Sequence, residues 1–261
     1  MLLATATCAL GDLSAGDLAV VAYNARNPDA FAWVALAEIP AGTTLKFTDA
    51  SVFTNGNFRW VEHFTPLQAG PLTWSHTTNL LAGTVVRFDA ASTNWSVGTR
   101  GGGHLRLSEG GDQVFIYTGS ITNDGSDANW SGNPGAATMV FGLNYGETSW
   151  TNQNLGNSRS AIPGGLSSAA NTAVHVGEQK NGYYSGRLSG TPAEIRALIA
   201  DPSNWTGSGS RIDASGWPAS FQILQEVPLF EFSRTHTPGD LPWIADRRHC
   251  DIIGRRRKEG S

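Results

Sequence analysis

Asp49, Arg59, Glu62, His63 and His76 are the residues of this 261-residue chain whose types and proximity in sequence suit bond-breaking chemistry. A carboxylate and an imidazole can act as general base and acid, and together they can hold a metal ion that activates water. Asp49, Glu62, His63 and His76 are therefore the catalytic candidates, for a metal-assisted hydrolase of phosphoesterase or nuclease type. The spacing works against one shared site. Glu62 and His63 are adjacent, so on a strand they face opposite sides, and Arg59 and Glu62 also differ in parity. The sequence contains no Gly-x-Ser-x-Gly, no His-Glu-x-x-His and no glycine loop with the Lys that cradles phosphate. Gly101-Gly102-Gly103-His104 has the glycines of an oxyanion run without a nucleophile elbow, and Gly98 to Gly103 reads more simply as a flexible hairpin loop.

A second chemistry is recognition. Nine Trp can supply flat faces for sugar rings. Trp33, Trp74 and Trp217 stand in strand-like or turn-anchoring contexts and are expected in the core. Trp95, Trp130, Trp150 and Trp205 lie in polar stretches and are the ligand-binding candidates. Three of these four sit in Asn-Trp-Ser/Thr triplets, at Asn94, Asn129 and Asn204. Such triplets are glycosylation acceptors as patterns. They also suit an Asx-turn in which the Trp folds back as an apolar plug. A third chemistry is cation binding. Asn123-Asp124-Gly125-Ser126-Asp127-Ala128-Asn129 offers oxygen ligands near alternate positions, so Ca²⁺ is the candidate cofactor, held by the carboxylates of Asp124 and Asp127. The EF-hand pattern fails there for want of a Glu at the twelfth position, and a plain Asx-turn loop is the competing reading.

The elements that would position these residues are strands on short turns. Pro40-Ala41-Gly42-Thr43-Thr44-Leu45-Lys46-Phe47 is echoed by Leu81-Ala82-Gly83-Thr84-Val85-Val86-Arg87-Phe88, and Gly16-Asp17-Leu18-Ala19-Val20-Val21 by Gly111-Asp112-Gln113-Val114-Phe115-Ile116. Each unit is a glycine turn that launches a β-branched or aromatic run. Strands are expected near 17–23, 31–37, 43–48, 58–62, 84–89, 112–118, 137–143, 173–176 and 219–224. Both faces of 31–37 are apolar, which predicts a central strand. Residues 119–136 and 146–160 read as long polar loops. One helix is expected over 192–200. Thr191-Pro192-Ala193-Glu194 forms a capping box with Pro at the first helical position, Ile195, Leu198 and Ile199 form a narrow stripe, and Asp201-Pro202 ends it. So short a helix must lie on other structure as a lid or edge cover.

Composition agrees with an all-β chain. Charged residues are 15% and Gly numbers 31, leaving few Lys, Glu and Met for helices. Residues 1–233 carry 11 Lys+Arg against 18 Asp+Glu, a net of −7; residues 234–261 carry 7 against 4, a net of +3. An acidic body lacks the basic face that nucleic acid requires. No apolar run is long enough for a membrane span. Cys8 and Cys250 lie near opposite ends and make no disulfide framework. The apolar, small-residue start over 1–11, with Ala4-Thr5-Ala6, reads as a signal-peptide remnant or a loose arm. After Ile223 the strand pattern dissolves, and 227–261 reads as a poorly ordered basic tail ending in Arg255-Arg256-Arg257-Lys258.

Gly16-Asp17-Leu18-Ala19-Val20-Val21-Ala22-Tyr23-Asn24, Phe31-Ala32-Trp33-Val34-Ala35-Leu36, Ile39-Pro40-Ala41-Gly42-Thr43-Thr44-Leu45, Gly111-Asp112-Gln113-Val114, Phe141-Gly142-Leu143-Asn144 and Asp201-Pro202-Ser203-Asn204-Trp205-Thr206 together resemble the lamin-tail-like β-sandwich modules of secreted bacterial proteins, over about residues 12 to 224. The resemblance implies a non-catalytic partner module of extracellular proteins. Val227-Pro228 and the terminal Arg run are similar to a degenerate PEP-CTERM-type sorting tail, without its second Pro, Glu and apolar span. The expectation is an all-β protein: a β-sandwich over 12–226 with one short covering helix. It would be secreted or displayed at the cell surface and bind polysaccharide or matrix, without nucleic-acid partners. The alternative expectation is the extracellular metal-assisted hydrolase.

Overall fold

The computed structural model describes residues 12–59, 70–123, 131–146, 150–151, 156 and 158–225. The strands, in chain order, are β1 (Leu18–Asn24), β2 (Ala30–Ala35), β3 (Thr44–Thr48), β4 (Phe58–Arg59), β5 (Leu72–Ser75), β6 (Val85–Asp89), β7 (Asn94–Trp95), β8 (Thr99–Arg100), β9 (Asp112–Asn123), β10 (Ser131–Tyr145), β11 (Ala173–His175), β12 (Asn181–Tyr184), β13 (Ser189–Gly190), β14 (Trp205–Ser208) and β15 (Gln222–Ile223). The one α-helix among the described residues is α1 (Pro192–Ala200).

Two sheets carry the fold. The first runs β14-β12-β1-β2-β6-β7, and the second β11-β10-β9-β3-β5-β8, with β4 pairing β10 beside β11's side of that strand. Pairing is antiparallel except for β10 with β11 and the small β13–β15 pair. Aromatic pairs join the two sheets face to face. Tyr23 stacks on Tyr145 at 4.2 Å, Phe31 meets Phe47 at 5.2 Å, and Trp33 meets Trp74 edge-on at 5.1 Å. In each pair one ring comes from each sheet, so the sandwich core is these rings and their aliphatic neighbours.

The glycine echoes are four launch turns. Gly16, Gly42, Gly83 and Gly111 all hold positive φ, between 81° and 109°, directly before β1, β3, β6 and β9. At Gly83 the requirement is also one of space, because a Cβ there would meet the Phe221 carbonyl oxygen. The expectation of a central strand at 31–37 is met by β2, whose six residues are all buried. Phe31 and Trp33 point into the sandwich. Ala32 pairs with Arg87 on the opposite face, and there Arg87 donates to the carbonyls of Trp217 and Pro218. A C-terminal segment thus covers the outer face of the first sheet, which is why β2 reads as apolar on both sides.

The second sheet is covered on its outer face too. Val114 and Ile116 of β9 enter the main core, while Phe115 and Tyr117 pack in a second cluster with Phe58, Met139, Val52 and Leu166. The segment near Ser160 is tied across this face: Val52 N–H donates to Ser160 Oγ at 2.8 Å, and Ala161 N–H to Val52 O at 2.9 Å.

The helix forms where expected. Glu194 N–H donates to Thr191 Oγ1 and Thr191 N–H to Glu194 Oε2, closing the capping box. Ile195 and Ile199 are fully buried, whereas Leu198 is half-buried. Trp205 Nε1 donates to Ile199 O, Asn204 Nδ2 to Leu198 O, and Arg196 Nη1 to Gly16 O. The helix is thereby fixed to both β14 and the turn before β1, the edge cover that its shortness demands.

Two expectations are corrected. Residues 119–136 are not one loop: β9 continues to Asn123, and β10 begins at Ser131, so most of the stretch is a long hairpin. The run 98–103 is not only a loop, because Thr99–Arg100 pairs with Trp74–Ser75. The expected strand at 58–62 is seen as Phe58–Arg59, and its remainder lies outside the described residues, as do the arm 1–11 and the tail 227–261.

Candidate functional site

Of the catalytic candidates, Asp49 and His76 are not brought together. β3 and β5 are antiparallel, with Thr44 opposite Ser75 and Phe47 opposite Leu72. His76 follows Ser75 and its carbonyl accepts from Gly42 N–H, so it lies at the start of β3. Asp49 lies just past the other end of β3. At the usual strand rise the two are roughly 20 Å apart along the strand. His76 stacks on Trp74 at 6.0 Å, and its Nδ1 is 2.7 Å from Thr78 O. Arg59 donates from Nε to Ser51 Oγ and lies over the Phe53 ring at 4.7 Å. Glu62 and His63 lie outside the described residues.

Asp49 instead belongs to a different device. Three consecutive backbone N–H groups each go to a carboxylate from a different part of the chain: Arg106 to Asp49 Oδ2 at 3.0 Å, Leu107 to Asp29 Oδ2 at 3.0 Å, and Ser108 to Asp112 Oδ2 at 2.9 Å. Tyr145 donates its hydroxyl to Ser108 O. Leu105 and Leu107 are buried in the core between these anchors. Carboxylates accepting backbone N–H bonds are the stronger class of such contacts, so the comb straps residues 105–108 over one end of the sandwich. Burial pushes the Asp29 carboxyl up to about 6; the Leu107 N–H pulls it down, the neighbouring Asp49 raises it, Arg106 lowers it and Glu109 raises it. Sequence reading passed over Asp29 and Asp112. Their only local signal is the turn chemistry of Asp beside Pro28 and Gly111.

The four tryptophans of polar context separate. Trp95 is buried, against expectation. It pairs with Phe88, packs at about 5 Å on Phe47 and Phe88, and donates Nε1 to Thr73 O. The triplet Asn94-Trp95-Ser96 is thus the apolar-plug reading, with the ring taken into the core. Trp205 is half-buried, its N–H spent on Ile199 O and its ring against Tyr184 and Tyr23. Trp130 lies outside the described residues, and so do the Ca²⁺ candidates Asp124 and Asp127. Among the described residues no group of three or more His, Cys, Asp and Glu is placed to hold a metal ion.

Of the three described candidates, Trp150 lines a groove. It borders a space of about 520 Å³ together with Ile162, Ser168, Asn171, Val174 and His175 and the end of α1 at Ala200. The ring is backed by Phe115, stacked at 5.7 Å, and its Nε1 has no hydrogen-bond partner among the described residues. The opposite wall is a stapled turn. Thr172 Oγ1 accepts from Ser167 N–H and donates to Ser167 O, Asn171 N–H donates to Ser168 O, and Gly142 N–H reaches Thr172 O. Asn171 holds φ 57°, a left-handed conformation that Asn tolerates. The backbone of the turn is thus spent on itself, while Ser168 and Asn171 border the groove. Sequence reading missed Ser168, Asn171 and His175. The run Ser167-Ser168-Ala169-Ala170-Asn171-Thr172 has the composition of a turn, but nothing local marks what it faces.

No helix among the described residues is long and apolar enough to cross a membrane. Comparison of the chain with family models, with curated proteins and with solved structures found no match.

Proposed function

We propose that this protein is a non-catalytic binding module, secreted or displayed at the cell surface, whose ligand is a polysaccharide of the extracellular matrix. The observation that carries the reading is the placement of the polar-context residues. Asp49 and His76 lie at opposite ends of β3, with Asp49 bound to the 105–108 strap, while Trp150 borders a groove with the polar side chains of Ser168, Asn171 and His175. Hydrolysis needs its acid, base and metal within reach of one bond. Recognition of a hydroxyl-rich polymer needs a flat apolar face and neutral hydrogen-bonding groups. The lamin-tail-like sequence pattern supports the same reading, since such modules accompany catalytic partners rather than act as them.

The test is a pair of measurements on the full chain. Co-sedimentation with a panel of insoluble polysaccharides should deplete the protein from solution. Incubation of a chromogenic phosphodiester with the protein and Mg²⁺, Mn²⁺ or Zn²⁺ should give no turnover above the metal alone. Metal-dependent turnover that Asp49→Asn or His63→Ala abolishes would overturn the binding reading in favour of the hydrolase.

A further inference from the structure

We propose that the groove beside β11 binds one ring of a neutral saccharide, laid against Trp150 and hydrogen-bonded by Asn171 and Ser168. This rests on the reading of the protein as a polysaccharide-binding module and assigns that module its site and its ligand charge. Three features argue for the class of ligand. First, among the described residues no Asp, Glu, Lys or Arg lines the groove. A charged ligand would have to shed water there with no opposite charge to offset the cost. Second, the wall combines an indole with aliphatic surface from Ile162 and Val174 and polar groups from Asn171, Ser168 and His175. A pyranose ring has that same division, with C–H groups on its faces and hydroxyls around its edge. Third, the wall is built before the ligand arrives. Phe115 backs Trp150, and Thr172 staples the turn that carries Ser168 and Asn171. Pre-organisation of this kind lowers the ordering cost of binding. The volume, about 520 Å³, falls within the range of small-ligand sites and exceeds one ring, so neighbouring units of a chain can run out of the groove.

The site predicts its own variants. Trp150→Ala removes the stacking face and should weaken binding of a soluble neutral glucan or mannan by about tenfold or more. Because Trp150 also packs on Phe115, its removal opens a gap beside that ring, so Asn171→Gly serves as the second probe. Glycine keeps the left-handed backbone and deletes only the amide. It should weaken binding by about three- to tenfold, one hydrogen bond's worth, with an unchanged circular dichroism spectrum. Affinity electrophoresis through gels containing neutral polysaccharide, or containing a polyuronate, reads both effects. Retardation in neutral gels that Asn171→Gly and Trp150→Ala both reduce bears the proposal out. Retardation that folded Asn171→Gly leaves intact overturns this site while leaving the binding reading standing. Stronger retardation in the polyuronate gel overturns the neutral ligand class. No retardation in any gel, and no co-sedimentation, overturns site and reading together.

Discussion

Asp29 is the residue at which charge and fold are most opposed. Its carboxyl is partly withdrawn from water and feels the negative charges of Asp49 and Glu109, and in the folded protein its pKa rises to about 6. A raised carboxylate pKa means that the fold favours the protonated form. Stability from this group therefore rises as pH falls through about 6 toward the ordinary carboxylate value, and is lost as pH climbs back through that window. Asp29→Asn keeps an oxygen for the Leu107 N–H and removes the charge. At pH 7 it should stabilise the protein by on the order of 1 kcal/mol after solvent screening, about 2–4 °C in Tm. At pH 4 the advantage should vanish, and a series of thermal melts between the two checks it. An advantage that persisted at pH 4 would place the effect in packing rather than charge. Trp95 makes the complementary case. It is buried among Phe31, Phe47 and Phe88, so Trp95→Ala should cost about 3–5 kcal/mol in a denaturant titration. From sequence, Asn-Trp-Ser at 94 and Asn-Trp-Thr at 204 looked like surface motifs. What decides their depth is the packing of Trp95 on Phe31 and Phe47 and of Trp205 on Tyr23. Those contacts reach across the chain, and no local pattern encodes them.

The elements were more legible. Glycine turns announced β1, β3, β6 and β9 because a left-handed φ is a local demand that few residues meet. The capping box announced α1 for the same reason. The hairpin of β9 and β10 was hidden because its distal half alternates exposed and half-buried polar residues: Thr118, Gly119, Ser120 and Thr122 surround the single buried Ile121. Its register also slips between Asn133 and Ala136, where a Cβ on Gly119 would strike the Ala136 carbonyl. Such a bulge breaks the period-two signal on which strand reading depends. The stripe on α1 is legible in the sequence, but the spacing does not say how deep each member lies: Leu198 is half-buried and Ile195 and Ile199 are fully buried. Ile195→Ala and Ile199→Ala should each cost about 2–5 kcal/mol and Leu198→Ala clearly less. Thr191→Ala should cost about 1 kcal/mol through the lost cap. None of these losses should vary with protein concentration, which equilibrium unfolding at two concentrations would reveal. The candidate site was the least legible level. Trp150 could be named in advance, but its partners Ser168, Asn171 and His175 arrive through a parallel strand that pairs β11 with β10.

For the molecule as a whole, the described residues between 12 and 225 form one compact unit, and the last described backbone bond closes it at Leu224 to Gly190. A chain ending at Glu226 should therefore unfold in one transition at the same midpoint as the full chain. A drop of several degrees would show that the basic segment contributes to the fold. The order of strands in the first sheet has a further consequence, for synthesis. β1 has β2 on one side, a few residues downstream, but on the other side it has β12, with Ala22 opposite Tyr183. A ribosome delivers β1 some tens of seconds before its second neighbour exists, at the usual ~5–20 residues per second. Through that interval one edge of β1, an inner strand of the finished sheet, is open, and open apolar edges recruit other chains. Polypeptides halted before Asn181 should accordingly collect in the insoluble fraction, while those completed through Leu224 stay in solution.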